Sequence, residues 1–254
     1  MTKEICYHFI KGTNQKIFKG GFSRKSMEII TLKGNGQLRT GKTELDVPCL
    51  DKTLTFILPL IGPNYHENVM GEIDSQKLYR PTTAQTLSLV DLAMQNPKEK
   101  HCAEILNRFK NNYLWTATEN LTFLEGVLVY DNTDGKMPQT SEELLKLYDA
   151  KDKRVRFVKP GFKTGVMPIS EFLEHPYTIA QVGEDMFKTA ERVAKVCHKK
   201  EAYVFGLYKA NSDVKRLTAV NSGWRGSRLY LDGYFPGSCF PGGYGCGYAS
   251  GVCK

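Results

Sequence analysis

The segment from Arg80 to Tyr113 constrains this chain more than any other, because it is the longest stretch whose pattern fits only helix. Thr82 offers an N-cap hydroxyl, and from Thr83 to Gln95 the residues Leu87, Val90 and Met94 share one face, with Leu89 and Ala93 beside them. Asn96 predicts the start of a second helix, with Pro97 at its first position and Glu99 three residues after the cap. Cys102, Ile105, Leu106, Phe109 and Tyr113 continue that helix at helical spacing. Two amphipathic helices meeting at one short corner need a further layer over their apolar faces, and the rest of the chain supplies β patterns for it.

Before the helical pair, Ile5–Ile10, Lys16–Phe22, Met27–Lys33 and Leu45–Val47 read as strands, and the continuous apolar run Leu54–Ile61 reads as a central one. After it, Leu121–Leu124, Val127–Tyr130, Arg154–Val158, Thr178–Val182, Tyr203–Lys209, Leu217–Val220 and Leu229–Leu231 return to β. Thr140 and Glu143 form a capping box for a short helix, and Glu184–His198 places Phe187, Ala190, Val193, Ala194 and Cys197 on an apolar face. Strands and helices are grouped rather than alternating. The expected class is therefore α+β, mainly antiparallel sheet with about three sizeable helices and a glycine-rich C-terminal tail. One globular domain is expected over residues 1–232, with a sub-division near 114–120, followed by a Gly-, aromatic- and Cys-rich segment over 233–254.

The 254 residues are 41% apolar, enough for a sizeable core, and no apolar run reaches the roughly 18 residues of a membrane helix. The N-terminus has no charged start followed by an apolar stretch and a cleavage site, so a cytoplasmic location is expected, with the seven cysteines reduced. Cys239, Cys246 and Cys253 recur at intervals of seven, wider than the C-x₂₋₄-C pairs of zinc sites. With His198 as a fourth ligand a site is conceivable, but loose thiols in a glycine-rich tail are the default, so no metal and no cofactor is expected. The five histidines form no pairing with a nucleophile, and no catalytic signature occurs, which argues against an enzyme.

Charge is the strongest hint of a partner. The net charge is +8, with nine Lys/Arg against three Glu in residues 1–44 and eight Lys/Arg against two acids in residues 195–228. Lys16, Lys19, Arg24 and Lys25 lie among Phe9, Phe18 and Phe22; Trp224, Arg225, Arg228 and Tyr230 interleave rings with cations in the same way. Cations suit phosphates and rings suit bases, so the leading expectation is a non-catalytic protein whose two basic ends bind a polyanion such as nucleic acid.

A second reading rests on Gly36-Gln37-Leu38-Arg39-Thr40-Gly41-Lys42-Thr43, which resembles the phosphate loop of P-loop nucleotide-binding proteins. That resemblance implies that Gly36 and Gly41 let the backbone wrap phosphates, that Lys42 reaches them, and that Thr43 holds Mg²⁺. Asp131, closing the apolar run Val127–Tyr130, would then face the metal. Pro48 falls where the required helix would be in its second turn, and Thr43–Pro48 lacks helical periodicity. A third reading is a structural or protein-interaction module.

Overall fold

A computed structural model gives the placement of residues 28–39, 43–204, 210–222, 228–236 and 246–253. These residues form two sheets with helices packed on them. The smaller sheet is an antiparallel meander of β1 (Ile29–Thr31), β2 (Gln37–Arg39), β3 (Glu44–Cys49) and β4 (Lys52–Ile57). Pro48 lies inside β3, but β2 is registered only against residues 44–46, so no β2 residue opposes the proline and no ladder bond is lost there.

The larger sheet joins β5 (Ile61–Asn64), β6 (Tyr113–Phe123), β7 (Gly126–Asp131), β8 (Val155–Val158), β9 (Gly165–Pro168), β10 (Glu201–Val204), β11 (Val214–Asn221), β12 (Leu229–Tyr234) and β13 (Gly247–Ala249). Its order is β5-β13-β6-β11-β12-β10-β9, with β7 beside the far half of β6 and β8 beside β7. Most pairs are antiparallel; β10–β12 and β13–β6 are parallel. The fold is thus α+β with antiparallel-rich sheets.

The helices are α1 (His66–Ser75), α2 (Thr83–Gln95), α3 (Lys100–Asn111), α4 (Ser141–Asp149), α5 (Ile169–Glu174), α6 (Pro176–Val182) and α7 (Phe187–Cys197). Thr82 caps α2 as its hydroxyl suggests, accepting from the Gln85 N–H in a full capping box. The corner differs from the expectation. Asn96 closes α2, and Glu99 caps α3 by accepting from the Cys102 N–H. The Asn96 amide is spent on the Lys33 and Leu92 carbonyls, tying the corner to the small sheet.

The main core lies between α2, α3 and α7 and both sheets, with Leu87, Val90, Ile105, Phe109, Val193, Val220 and Leu231 at its centre. Two smaller clusters sit under α1 and around α4. Every residue of β6 is buried, because its two faces meet different cores.

Several expectations are corrected. Leu54–Ile61 is not one central strand; β4 is the edge of the small sheet, and the chain turns through a cis Leu58-Pro59 bond into β5 of the large one. Thr178–Val182 is the body of α6, not a strand. Gly247–Ala249 is a strand seated between β5 and β6. The hairpin expected over Ile5–Phe22 lies outside the described residues.

Candidate functional site

Residues opposed across paired strands share a face of the sheet, and register therefore assembles a surface from distant parts of the chain. Val166 opposes Tyr203, Tyr203 stands beside Tyr230, and Tyr230 opposes Asn221, making one row across β9, β10, β12 and β11. Asp232 opposes Ala219, which opposes Trp115, making a second row. Tyr234 opposes Leu217 in a third. Glu201 and Arg228 stand two positions before Tyr203 and Tyr230 and belong to the same face. At the β6 end this face is covered by α1, whose Val69, Met70 and Ile73 pack on Tyr113, Trp115, Leu217 and Ala219. Toward the other end Tyr230 is still buried, Tyr203 is partly exposed, and Val166 at the β9 edge is 46% exposed.

Asp232 lies between the covered and open ends, only 7% exposed. Asn221 Nδ2 donates to its Oδ2 at 2.7 Å, and the Tyr234 hydroxyl donates to the same oxygen at 3.0 Å. Burial pushes the Asp232 carboxyl up to about 6, against the downward pull of those two donors. Rings surround it. Tyr113 and Tyr234 have centroids 4.7 Å apart, Trp115 meets Tyr234 edge-on at 5.7 Å, and Tyr203 and Tyr230 lie 5.0 Å apart. Trp115 is fixed by its indole N–H, which donates to the Asn64 carbonyl. His66, edge-on to Trp115, bonds the Thr116 carbonyl through Nε2, and burial holds its imidazole below the usual histidine range.

Two other polar clusters are closed. Glu119 accepts from the Tyr130 hydroxyl, Asn132 and Lys215, forming a buried ion pair across β6, β7 and β11. On the opposite face of the large sheet, Thr83, Thr116, Asn120, Gln181 and Thr218 bond one another where α2 and α6 meet β6 and β11. A cleft of about 350 Å³ between the β1–β2 turn, α2 and α7 holds Asp91, which Arg192 already grips with two nitrogens.

Of the residues singled out in the sequence for nucleic acid, Lys16, Lys19, Arg24, Lys25, Trp224 and Arg225 lie outside the described residues. Arg228 is described, and it binds Glu201 Oε2 through both Nε and Nη2. The phosphate-loop reading is corrected by the local fold. Gln37–Arg39 is β2, and β3 pairs antiparallel to it from Glu44, where a P-loop needs a helix; Thr40 lies outside the described residues. Gly41 and Lys42 lie outside the described residues. Gly36 serves packing, since a Cβ there would stand 2.5 Å from the buried Leu92 side chain of α2. Thr43 takes a positive φ at the hairpin. Asp131 belongs to the other sheet, and its oxygens are occupied by the Thr118 hydroxyl and a bidentate Arg156. Among the described residues no cluster of His, Cys, Asp and Glu could hold a metal ion, and no helix is long and apolar enough to cross a membrane. Cys239 lies outside the described residues.

The sequence carried part of the site. Arg228 and Tyr230 were visible as interleaved cation and ring, but Tyr203, Asn221, Asp232 and Tyr234 come together only through strand order. The one signal that pointed to Asp232 is its polarity within the alternation Leu229–Tyr234.

No family model matches the chain, and no curated protein matches it. A solved structure does match, described as accommodation of massive sequence variation in Nanoarchaeota by the C-type lectin fold. It is 15% identical, with a TM-score of 0.50 over 77% of this chain and 97% of that one. The likeness is one of fold, and this chain is similar to a C-type lectin fold. The polyanion expectation is corrected: the likeness is to a C-type lectin fold, which is no evidence for nucleic-acid or nucleotide binding, and the described Arg228 is paired with Glu201.

Proposed function

We propose that this chain is a non-catalytic recognition module, and that it docks a partner protein on the open face over β9, β10 and β12. The observation that carries the reading is the row Val166, Tyr203, Tyr230 with Asp232 behind it: an exposed valine at the sheet edge, a partly exposed ring beside it and a buried ring next to a buried acid. Rings of this kind supply contact area at low entropic cost and are favoured at the centres of interfaces. Strand pairing on both sides of β12 fixes the side chains in advance, which reduces the cost of ordering them on binding. No described nucleophile and base meet on this face, and His66 is buried against Thr116. The structural neighbour is described as accommodating sequence variation on its fold, and a scaffold that tolerates changed surface residues suits recognition.

Site-specific photocrosslinking tests the reading. A crosslinking amino acid at Val166 or Tyr203 is expected to capture one discrete partner from extract of the native source. The same group at Leu124, which is exposed elsewhere, is expected to capture none. Equal capture from both positions, or none from Val166 and Tyr203, overturns the proposal.

A further inference from the structure

We propose that Asp232 and the rings around it receive one lysine side chain of the partner, whose ammonium meets the free oxygen of the carboxylate. This rests on the reading of the open face as the docking surface, and it names the chemistry that the face selects.

The geometry of the carboxylate comes first. Asn221 and Tyr234 both donate to Oδ2, and no described residue donates to Oδ1. The two donors fix the plane of the carboxylate while leaving one oxygen for an outside donor. Charge comes second. Other well-buried acids of the described fold have a cation: Glu119 has Lys215, Asp91 has Arg192 and Asp46 has Arg39. Asp232 has none among the described residues, and Arg228, a described cation on the same face, is bound to Glu201. A carboxylate taken out of water without a counter-charge lacks what an incoming cation would supply.

The rings are the third element. Tyr230 lies two positions from the acid on the side away from α1, with the Tyr203 ring 5.0 Å from its own, while Tyr234 lies on the covered side, and an ammonium held between a carboxylate and a ring face gains from both. A single free oxygen favours the point charge of lysine over arginine, whose planar fork seeks two acceptors. The four-carbon stem of lysine would lie along the Tyr230 and Tyr203 rings.

The test is an NMR titration of the intact chain, following the Asn221 side-chain amide and the Trp115 indole N–H. The probes are acetyl-Gly-Lys-Gly-amide, its Nζ-acetylated and norleucine counterparts, and n-butylammonium. The lysine tripeptide is expected to shift both signals saturably, and the two uncharged peptides to leave them unmoved. Asp232→Asn keeps the acceptor for Asn221 and Tyr234 but loses the charge, and is expected to weaken the tripeptide by about tenfold or more. Tyr203→Leu is expected to weaken it by about fivefold. Equal binding of the norleucine peptide, or unchanged affinity in Asp232→Asn, overturns the proposal. Binding of n-butylammonium without the tripeptide overturns the partner's lysine as the source and leaves a free amine. If the tripeptide fails while Val166 and Tyr203 still crosslink a partner, the lysine assignment falls and the docking face stands.

Discussion

Asp232 is a residue whose present chemistry works against folding. Its folded-state pKa of about 6 lies above the roughly 3.9 of an unfolded aspartate, so between those values the folded chain holds a proton the unfolded chain has released. Stability from this group is complete below the unfolded value and is lost as pH rises through about 6. Two pKa units correspond to about 3 kcal/mol. Asp232→Asn is therefore expected to raise the urea midpoint at pH 8, by the equivalent of up to about 3 kcal/mol, with the gain shrinking to nothing near pH 4. A gain of equal size at both pH values would mean that packing, not charge, is responsible. His66 acts in the opposite sense. Its lowered pKa gives stability that is present above about 6.5 and lost as pH falls, so the wild-type profile alone would blur the two effects, whereas the variant difference isolates Asp232.

At the scale of elements, legibility followed the range of the determining interactions. The α2 capping box and the α4 N-cap are contacts within one turn, and Thr82 and Thr140 announced both; at α4 the Glu143 carboxylate accepts from the Thr140 hydroxyl instead of its backbone N–H. The Asn96 corner was misread because a long-range demand won: its amide serves Lys33, 63 residues away, and Glu99 took over as cap. Thr178–Val182 looked like a strand because of its β-branched and apolar residues, yet Gln181 reaches Asn120 and Thr83 only from a helix packed on the large sheet. Strand order left no local trace, which is why the face carrying Asp232 was not legible. The closed cluster on β6, β7 and β11 offers a test of long-range pairing. Glu119→Ala leaves the Tyr130 hydroxyl and Asn132 amide buried without their acceptor and is expected to cost about 3 kcal/mol or more in urea denaturation. Lys215→Met leaves the 2%-exposed Glu119 carboxylate without its cation and is expected to cost about 3 kcal/mol as well. A cost below about 1 kcal/mol at Lys215 would show that the pair behaves as an exposed one.

On the scale of the whole molecule, the last described segment joins the two sheets. β13 fills the gap between β5 and β6, and beyond it the chain runs along β4, the outer edge of the small sheet. There Ile57 N–H donates to the Gly251 carbonyl, Cys253 N–H donates to the Thr55 carbonyl, and Val252 bridges both Phe56 and Tyr79. Tyr248 and Val252 belong to the main core, so the segment contributes apolar burial as well as backbone bonds. The approach is close: a Cβ on Gly247 would stand 2.5 Å from the Trp115 indole nitrogen, and Trp115 is fully packed. Gly247→Val is therefore expected to cost about 1–3 kcal/mol, read as a lowered melting temperature with a red-shifted tryptophan emission. Ending the chain after residue 245 has a larger expected effect. It exposes the facing edges of β5 and β6 and unpairs the β4 edge, leaving open ladders prone to self-association. The shortened protein is expected to lose its cooperative thermal transition by circular dichroism and to elute as soluble aggregate in size-exclusion chromatography. A monomer melting within a few degrees of the full chain would show that the two sheets hold together without this segment.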